Sequence, residues 1–261
     1  MNKLLLIGVS ALSLSAWTAS GATGAKVTDK PVRVLYLGDS LTDYDRGSNH
    51  VDRLVAKIDA VQPRYVSIHN YAIRGDFIER MMNRLRGDRN TYALERYEGI
   101  WGVQYDWAFV FLGQNDSRAW SKTNFDIPEM PLDKVRALYT ELVALLRGKG
   151  IGRIIFVTPA SLNFAITSAN AQKQIDRIKA GKTKSDNAVR FGEPRHLENF
   201  CRVIREVAAK EGVEYLDIYS PMKALPDKPD YLKTVDGVHL SQKGHEFVAG
   251  LEFDYLVKNR R

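Results

Sequence analysis

Five short runs of β-branched and aromatic residues recur along this chain, each set apart from the next by a longer stretch of polar and helical character. The runs are Val32 to Leu37, Tyr65 to Asn70, Asp106 to Leu112, Arg153 to Thr158 and Glu214 to Tyr219. Parallel strands need a crossover between them, so this alternation predicts an α/β fold: a three-layer α/β/α arrangement around a five-stranded parallel sheet. Three of the intervening segments read as helices. Asp133 to Arg147 places Val135, Leu138, Leu142, Leu145 and Leu146 on one face, with Pro131 before it and Gly148 and Gly150 after it. Leu197 to Lys210 repeats the pattern through Leu197, Phe200, Cys201, Ile204 and Ala208, which turns Cys201 toward the core. A last helix is expected from about Gln242 to Val257. The stretch from Ala160 to Arg195 has no clear period and is long for a connection, so it reads as an irregular, functional or mobile loop.

The 261 residues are 44% hydrophobic and 26% charged, a composition able to bury a full core. Residues 1–25 stand apart: Asn2 and Lys3, an apolar run from Leu4 to about Trp17, then small residues to Ala25. That pattern is a secretory signal peptide, cleaved near Ala22 or Ala25, and it predicts export to a periplasm or the medium. A membrane anchor or a buried first helix is the competing reading, but the run is short for a span. No Cys follows it to carry a lipid, so no stable membrane anchor is expected after cleavage. Residues 26–261 are then one domain. The formal net charge of +7 fits acidic partners without selecting one. The single cysteine, Cys201, excludes an internal disulfide.

The first strand ends in Gly38-Asp39-Ser40-Leu41-Thr42-Asp43, which puts a serine where parallel sheets present ligand-binding groups. Taken alone, Gly-Asp-Ser is also ordinary turn and N-cap chemistry. A serine becomes a nucleophile only when a base takes its proton and a third group orients that base. Asp236-Gly237-Val238-His239, between the last strand and the last helix, offers such a pair across a glycine-containing turn. Ester hydrolysis also needs donors for an oxyanion. The second strand ends in Asn70-Tyr71-Ala72-Ile73-Arg74-Gly75-Asp76 and the third in Gly113-Gln114-Asn115-Asp116, each able to supply donors and each also readable as a helix-capping turn.

Together these four segments resemble, in order and position, the four blocks of the SGNH (GDSL-type) hydrolase family, from Val32 to the final helix. The resemblance implies a flavodoxin-like sheet and a serine ester hydrolase that needs neither cofactor nor metal. It also implies that Ser40 is the nucleophile, His239 the base and Asp236 its orienting acid. The backbone N–H groups of Ser40 and Gly75 and the Asn115 side chain would form the oxyanion hole. The chain departs from many members at Ala72, where they carry a further glycine; Gly75 is retained.

Two more residues are candidates for the substrate pocket: Trp120, in a loop just beyond Asn115, and His69, at the end of the second strand, although a structural histidine is the commoner outcome there. None of His50, His69, His196 and His245 has a defensible metal-ligand spacing. Trp107, Phe109 and Phe111 alternate as strand residues should, which assigns them to the core. The expected substrate is a small-molecule or glycan ester, led by short acyl (acetyl) esters such as O-acetylated carbohydrate. Lipase-like or thioesterase-like cleavage of longer chains is the alternative among enzymes. A non-catalytic binder of acidic polymers is the alternative outside them. No nucleic-acid-binding motif is present, and no such partner is expected. Between Ile166 and Arg195, seven Lys and Arg face three Asp and Glu. If that segment overhangs Ser40 it would attract an acidic substrate, and otherwise it is a solvated polar face.

Overall fold

The run Val34-Leu35-Tyr36-Leu37 is apolar on both faces, as a strand in the middle of a covered parallel sheet must be. It forms the buried part of β1 (Val32–Gly38). The computed structural model describes residues 30–259, so the expected signal peptide lies outside the described residues. After β1 come α1 (Ser40–Asp43), α2 (His50–Val61), β2 (Val66–Asn70), α3 (Ile78–Arg86), β3 (Trp107–Phe111) and β4 (Ala119–Trp120). Then follow α4 (Leu132–Gly148), β5 (Arg153–Val157), α5 (Phe164–Lys179), β6 (Val189–Arg190), α6 (Pro194–Glu211), β7 (Glu214–Leu216), α7 (Tyr219–Lys223) and α8 (Gln242–Lys258).

Five strands form one parallel sheet in the order β2-β1-β3-β5-β7, the doubly wound order of flavodoxin-like folds. Side-chain alternation divides the core between its faces. Leu35 and Leu37 join the cluster packed by α3, α4 and α6, whereas Val34 and Tyr36 join the one packed by α2 and α8. Phe109 and Phe111 lie in the second cluster with Trp107 against it, and Cys201 is buried there too. The register pairs Gly38 with Phe111 and Phe111 with Val157, so the carboxyl ends of the central strands leave the sheet side by side. Beneath that edge, the buried Glu252 of α8 accepts from the Tyr36 hydroxyl, and its other oxygen is 3.1 Å from His50 Nδ1. His50 Nε2 is in turn 3.1 Å from Thr42 Oγ1, which ties α8 to the turn after β1.

Three expectations need correction. The stretch from Ala160 to Arg195 holds a long helix: α5 is N-capped by Asn163, whose side chain accepts from the Ile166 N–H at 3.3 Å. Only Thr167 and Ala171 of α5 are buried, and Ile175 and Ile178 continue that face half-buried, so its apolar stripe is narrow. Its far side leads into β6, which pairs antiparallel with β4. Strands of two residues leave no alternation to read. Finally, β7 stops at Leu216 rather than Tyr219, because Thr158 Oγ1 accepts the N–H groups of Ile218 and Tyr219, both at 2.8 Å, and turns the chain into α7.

Candidate active site

Ser40 leaves the carboxyl end of β1 as the first residue of α1, capped by Asp39, whose carboxylate accepts the Leu41 N–H at 2.9 Å. Two distant parts of the chain meet here. His239 Nε2 lies 2.9 Å from Ser40 Oγ, and His239 Nδ1 lies 2.8 Å from Asp236 Oδ2. The other Asp236 oxygen accepts the N–H groups of Val238 and His239 at 2.7 and 2.9 Å. Burial pushes the Asp236 carboxyl up, but these three donors outweigh it and hold its pKa below the ordinary value. The turn that makes this possible needs Gly237, at φ +68° and so close to α5 that a Cβ would stand 2.9 Å from Ile166 Cβ.

The two other blocks converge on the same point. Gly75, at φ +76°, follows β2, and its amide N–H has no acceptor among the described residues. The same holds for the Ser40 N–H, as expected at the start of a helix. Asn115, buried beyond β3, donates through Nδ2 to the Asp76 carbonyl at 2.9 Å and more weakly to Asp39 Oδ2 at 3.4 Å. Buried Arg84 pairs with the Asp76 carboxylate and pins the turn after Gly75. Ala72, where a second glycine is common, lies outside the positive-φ region, and its carbonyl accepts from Arg46 and Arg96 at 3.0 and 3.2 Å. The alanine costs the turn no strain.

Residues 36–247, which span all four segments, match the GDSL-like Lipase/Acylhydrolase family. The chain belongs to that family. It is therefore an esterase/acylhydrolase of the GDSL type. Curated relatives agree: the isoamyl acetate-hydrolyzing esterase 1 homolog of Bos taurus is 30% identical over 83% of this chain and 78% of its own. The Homo sapiens homolog is 27% identical over 83% and 77%. Solved structures share the fold. The lipase/acylhydrolase from Enterococcus faecalis superposes with a TM-score of 0.59 at 19% identity, over 86% of this chain and 95% of that one. An acetylxylan esterase from Geobacillus stearothermophilus gives 0.58 at 21%, over 88% and 94%.

In this GDSL-family enzyme, Ser40, His239, Asp236, Gly75 and Asn115 all line one cleft of about 420 Å³. Neither Trp120 nor His69 lines it. Trp120 belongs to β4, where its indole N–H donates to Glu129 and Arg118 covers its ring. His69 packs edge-on against Tyr105 at 5.3 Å. Both sit near a motif in sequence while their side chains are claimed elsewhere. The residues that sequence reasoning missed come from between the motifs. Tyr44 packs on the His239 ring at 4.8 Å, and Arg74, Arg118 and Phe191 complete the walls. Tyr44 lies four residues after Ser40, one helical turn on, and that spacing was the available signal.

Of the two readings of the basic segment, the placement of its charges fits the solvated face better than a supply of cleft charge. Thr167, Asn170 and Gln174 of α5 do line the cleft, but Lys182 and Lys184 are exposed away from it, and Arg190 pairs with Glu193 at 2.9 Å. The other histidines are occupied too. His245 Nδ1 accepts the His50 N–H at 3.2 Å, and burial lowers its pKa to about 4. The His196 ring lies 3.0 Å from the Phe125 carbonyl.

Behind Gly75 and Asn115, burial pushes the Asp116 carboxyl up to about 7, despite the Ile78 N–H that donates to it at 2.9 Å. Its other oxygen has no partner among the described residues. A carboxyl whose folded pKa exceeds its unfolded value of about 3.9 stabilises the fold below that value, and the contribution is lost as pH rises to about 7. Asp116→Asn keeps the acceptor for Ile78 and cannot ionise. Its melting temperature relative to the parent should therefore climb between pH 4.5 and 7.5. A difference that stays level over this range would mean that Asp116 titrates as an ordinary carboxyl.

Proposed function

We propose that the protein is a serine carboxylic-ester hydrolase that works through an acyl-enzyme on Ser40 and prefers short, acetyl-type acyl groups. The observation that carries this reading is the continuous hydrogen-bonded relay from Ser40 Oγ to His239 and on to Asp236, at 2.9 and 2.8 Å. In the first step Ser40 Oγ attacks the ester carbonyl while His239 Nε2 takes its proton. Asp236 fixes the imidazole tautomer and stabilises the imidazolium. The N–H groups of Ser40 and Gly75 and the Asn115 amide receive the oxyanion. His239 then gives the proton to the departing alcohol, and water repeats the sequence in reverse on the acyl-Ser40.

Support for a short acyl group comes from the relatives, which include esterases named for isoamyl acetate and acetylxylan. An O-acetylated carbohydrate is the favoured substrate type. The reading extends to export, supported by the basic start and apolar run of residues 2–17. Its direct test is a series of p-nitrophenyl esters from acetyl to octanoyl, with Ser40→Ala as the control. A kcat/KM that peaks at acetyl or propionyl is the expected result. A maximum at octanoyl would make the protein a longer-chain acyl hydrolase instead.

Asn115 meets an oxyanion only near the transition state, so its loss should act on kcat and leave KM nearly in place. Asn115→Ala is expected to lower kcat by about 100- to 1,000-fold in steady-state assays. A change confined to KM would make Asn115 a ground-state binder.

A further inference from the structure

The cleft that holds Ser40 has two cationic side chains in its walls, Arg74 and Arg118. Its carboxylate, Asp236, is engaged by His239 and two backbone N–H groups. Three neutral amide side chains there are each tied to the backbone at one end. Asn170 donates to the Val235 carbonyl at 3.2 Å, Gln174 accepts the Val189 N–H at 3.1 Å, and Gln114 donates to the Ala160 carbonyl at 3.4 Å. Arg74 is different. Its backbone N–H is held by Asp43 Oδ2 at 3.0 Å, one residue before the Gly75 donor, while its exposed guanidinium has no hydrogen bond, ion pair or ring contact among the described residues. Arg118 spends only its Nε on Glu129, at 3.4 Å, and leaves its two terminal nitrogens without acceptors among the described residues. Behind them Arg80 donates to the Gly75 carbonyl at 3.2 Å and adds a third positive charge. Arg74 also borders a neighbouring cleft with Asp43, Asp45 and Glu95. There Asp43 is already paired with Arg46 and Arg96, and Asp45 with Lys233, which leaves exposed Glu95 as the opposing charge.

A guanidinium fixed at its base and unpartnered at its tip beside a nucleophile is suited to a planar anion, which it can bind in a bidentate fork. The geometry points to an anionic substrate: a short-acyl ester whose alcohol portion carries a carboxylate, held by Arg74 with Arg118 beside it. This rests on the Ser40 esterase reading and narrows it to acidic alcohols, of which an acetylated uronic-acid-type sugar is the carbohydrate form. The positive charge that selects the substrate lies in the turn after β2, not in the lysines that follow α5.

Paired substrates test it. The kcat/KM for 4-acetoxybenzoate, divided by that for its neutral methyl ester, should fall about tenfold in Arg74→Gln, whatever the variant does to the neutral ester itself. Raising salt should lower this ratio in the parent enzyme and much less in Arg74→Gln. A Lys182→Gln, Lys184→Gln double variant removes two charges away from the cleft and should keep the parent ratio. Binding of 4-acetamidobenzoate, an analogue that is not cleaved as an ester, should weaken by a similar factor in Arg74→Gln, which reads the anion subsite without turnover. An unchanged ratio and unchanged analogue binding in Arg74→Gln would overturn the subsite. So would an equal fall in the lysine variant, since a diffuse field would then be acting. Failure of the esterase reading looks different: the neutral ester would be left uncleaved by the parent, or cleaved equally by Ser40→Ala, with analogue binding still sensitive to Arg74.

Discussion

Ser40→Ala should lower kcat for a short acyl ester by on the order of 10⁴- to 10⁶-fold, with the fold intact. The size of the loss follows from the absence of a substitute. The other aliphatic hydroxyl in the same turn, Thr42 Oγ1, is 3.1 Å from His50 Nε2 in a buried contact and cannot turn toward His239 without breaking it. What remains in the variant is the proposed oxyanion hole and general base, which would retain some rate over water but no acyl-enzyme route. The effect on stability should be small. Removing the hydroxyl leaves His239 Nε2 without its partner at a partly buried site, worth about 1 kcal/mol. Steady-state hydrolysis and a thermal melt of the same preparation check both halves. Turnover within tenfold of the parent would remove Ser40 from the chemistry.

Asp236→Asn should be nearly as damaging, with a loss of about 10⁴-fold in kcat and little change in KM. In the native turn one carboxylate oxygen accepts the Val238 and His239 N–H groups and the other accepts from His239 Nδ1. An amide has one oxygen. If that oxygen stays with the two backbone donors, the new NH₂ faces Nδ1 and favours the tautomer that carries its proton on Nε2. An imidazole so protonated cannot take the proton of Ser40. The imidazolium that forms during attack also loses the negative charge beside it. Because the backbone contacts survive, the turn should hold its shape. An Asn variant that kept a tenth or more of the parent kcat would show that Asp236 only supports the loop.

How much of this was readable without coordinates depended on where each signal was stored. The five strands were legible because β-branched and aromatic runs such as Val34 to Leu37 and Trp107 to Phe111 carry their burial in consecutive residues. The helix α5 was not, since only Thr167 and Ala171 are buried and its apolar Ile175 and Ile178 are half-buried among polar and charged neighbours. Ser40, Gly75 and Asn115 share one cleft because they follow the carboxyl ends of β1, β2 and β3, where the sheet edge gathers residues far apart in the chain, while the Asp236–His239 pair enters from the segment before α8. Trp120 misled because nearness in sequence to Asn115 says nothing about where an indole N–H finds its acceptor, here Glu129. The charge of the segment from Ile166 to Arg195 left two readings open for a related reason. A count of lysines does not tell which side of α5 they occupy, while Asn170 and Gln174 face the cleft.

The proposed acyl transfer is a single covalent event at the Ser40 oxygen, and a fluorophosphonate reports it directly. The protein is treated with the reagent, its intact mass is measured, and the modified peptide is sequenced by fragmentation. One adduct per chain, located on Ser40, is the expected result, with activity lost in proportion to labelling and labelling slowed strongly in Asp236→Asn. An adduct on another residue, or full ester hydrolysis by protein already modified at Ser40, would contradict it.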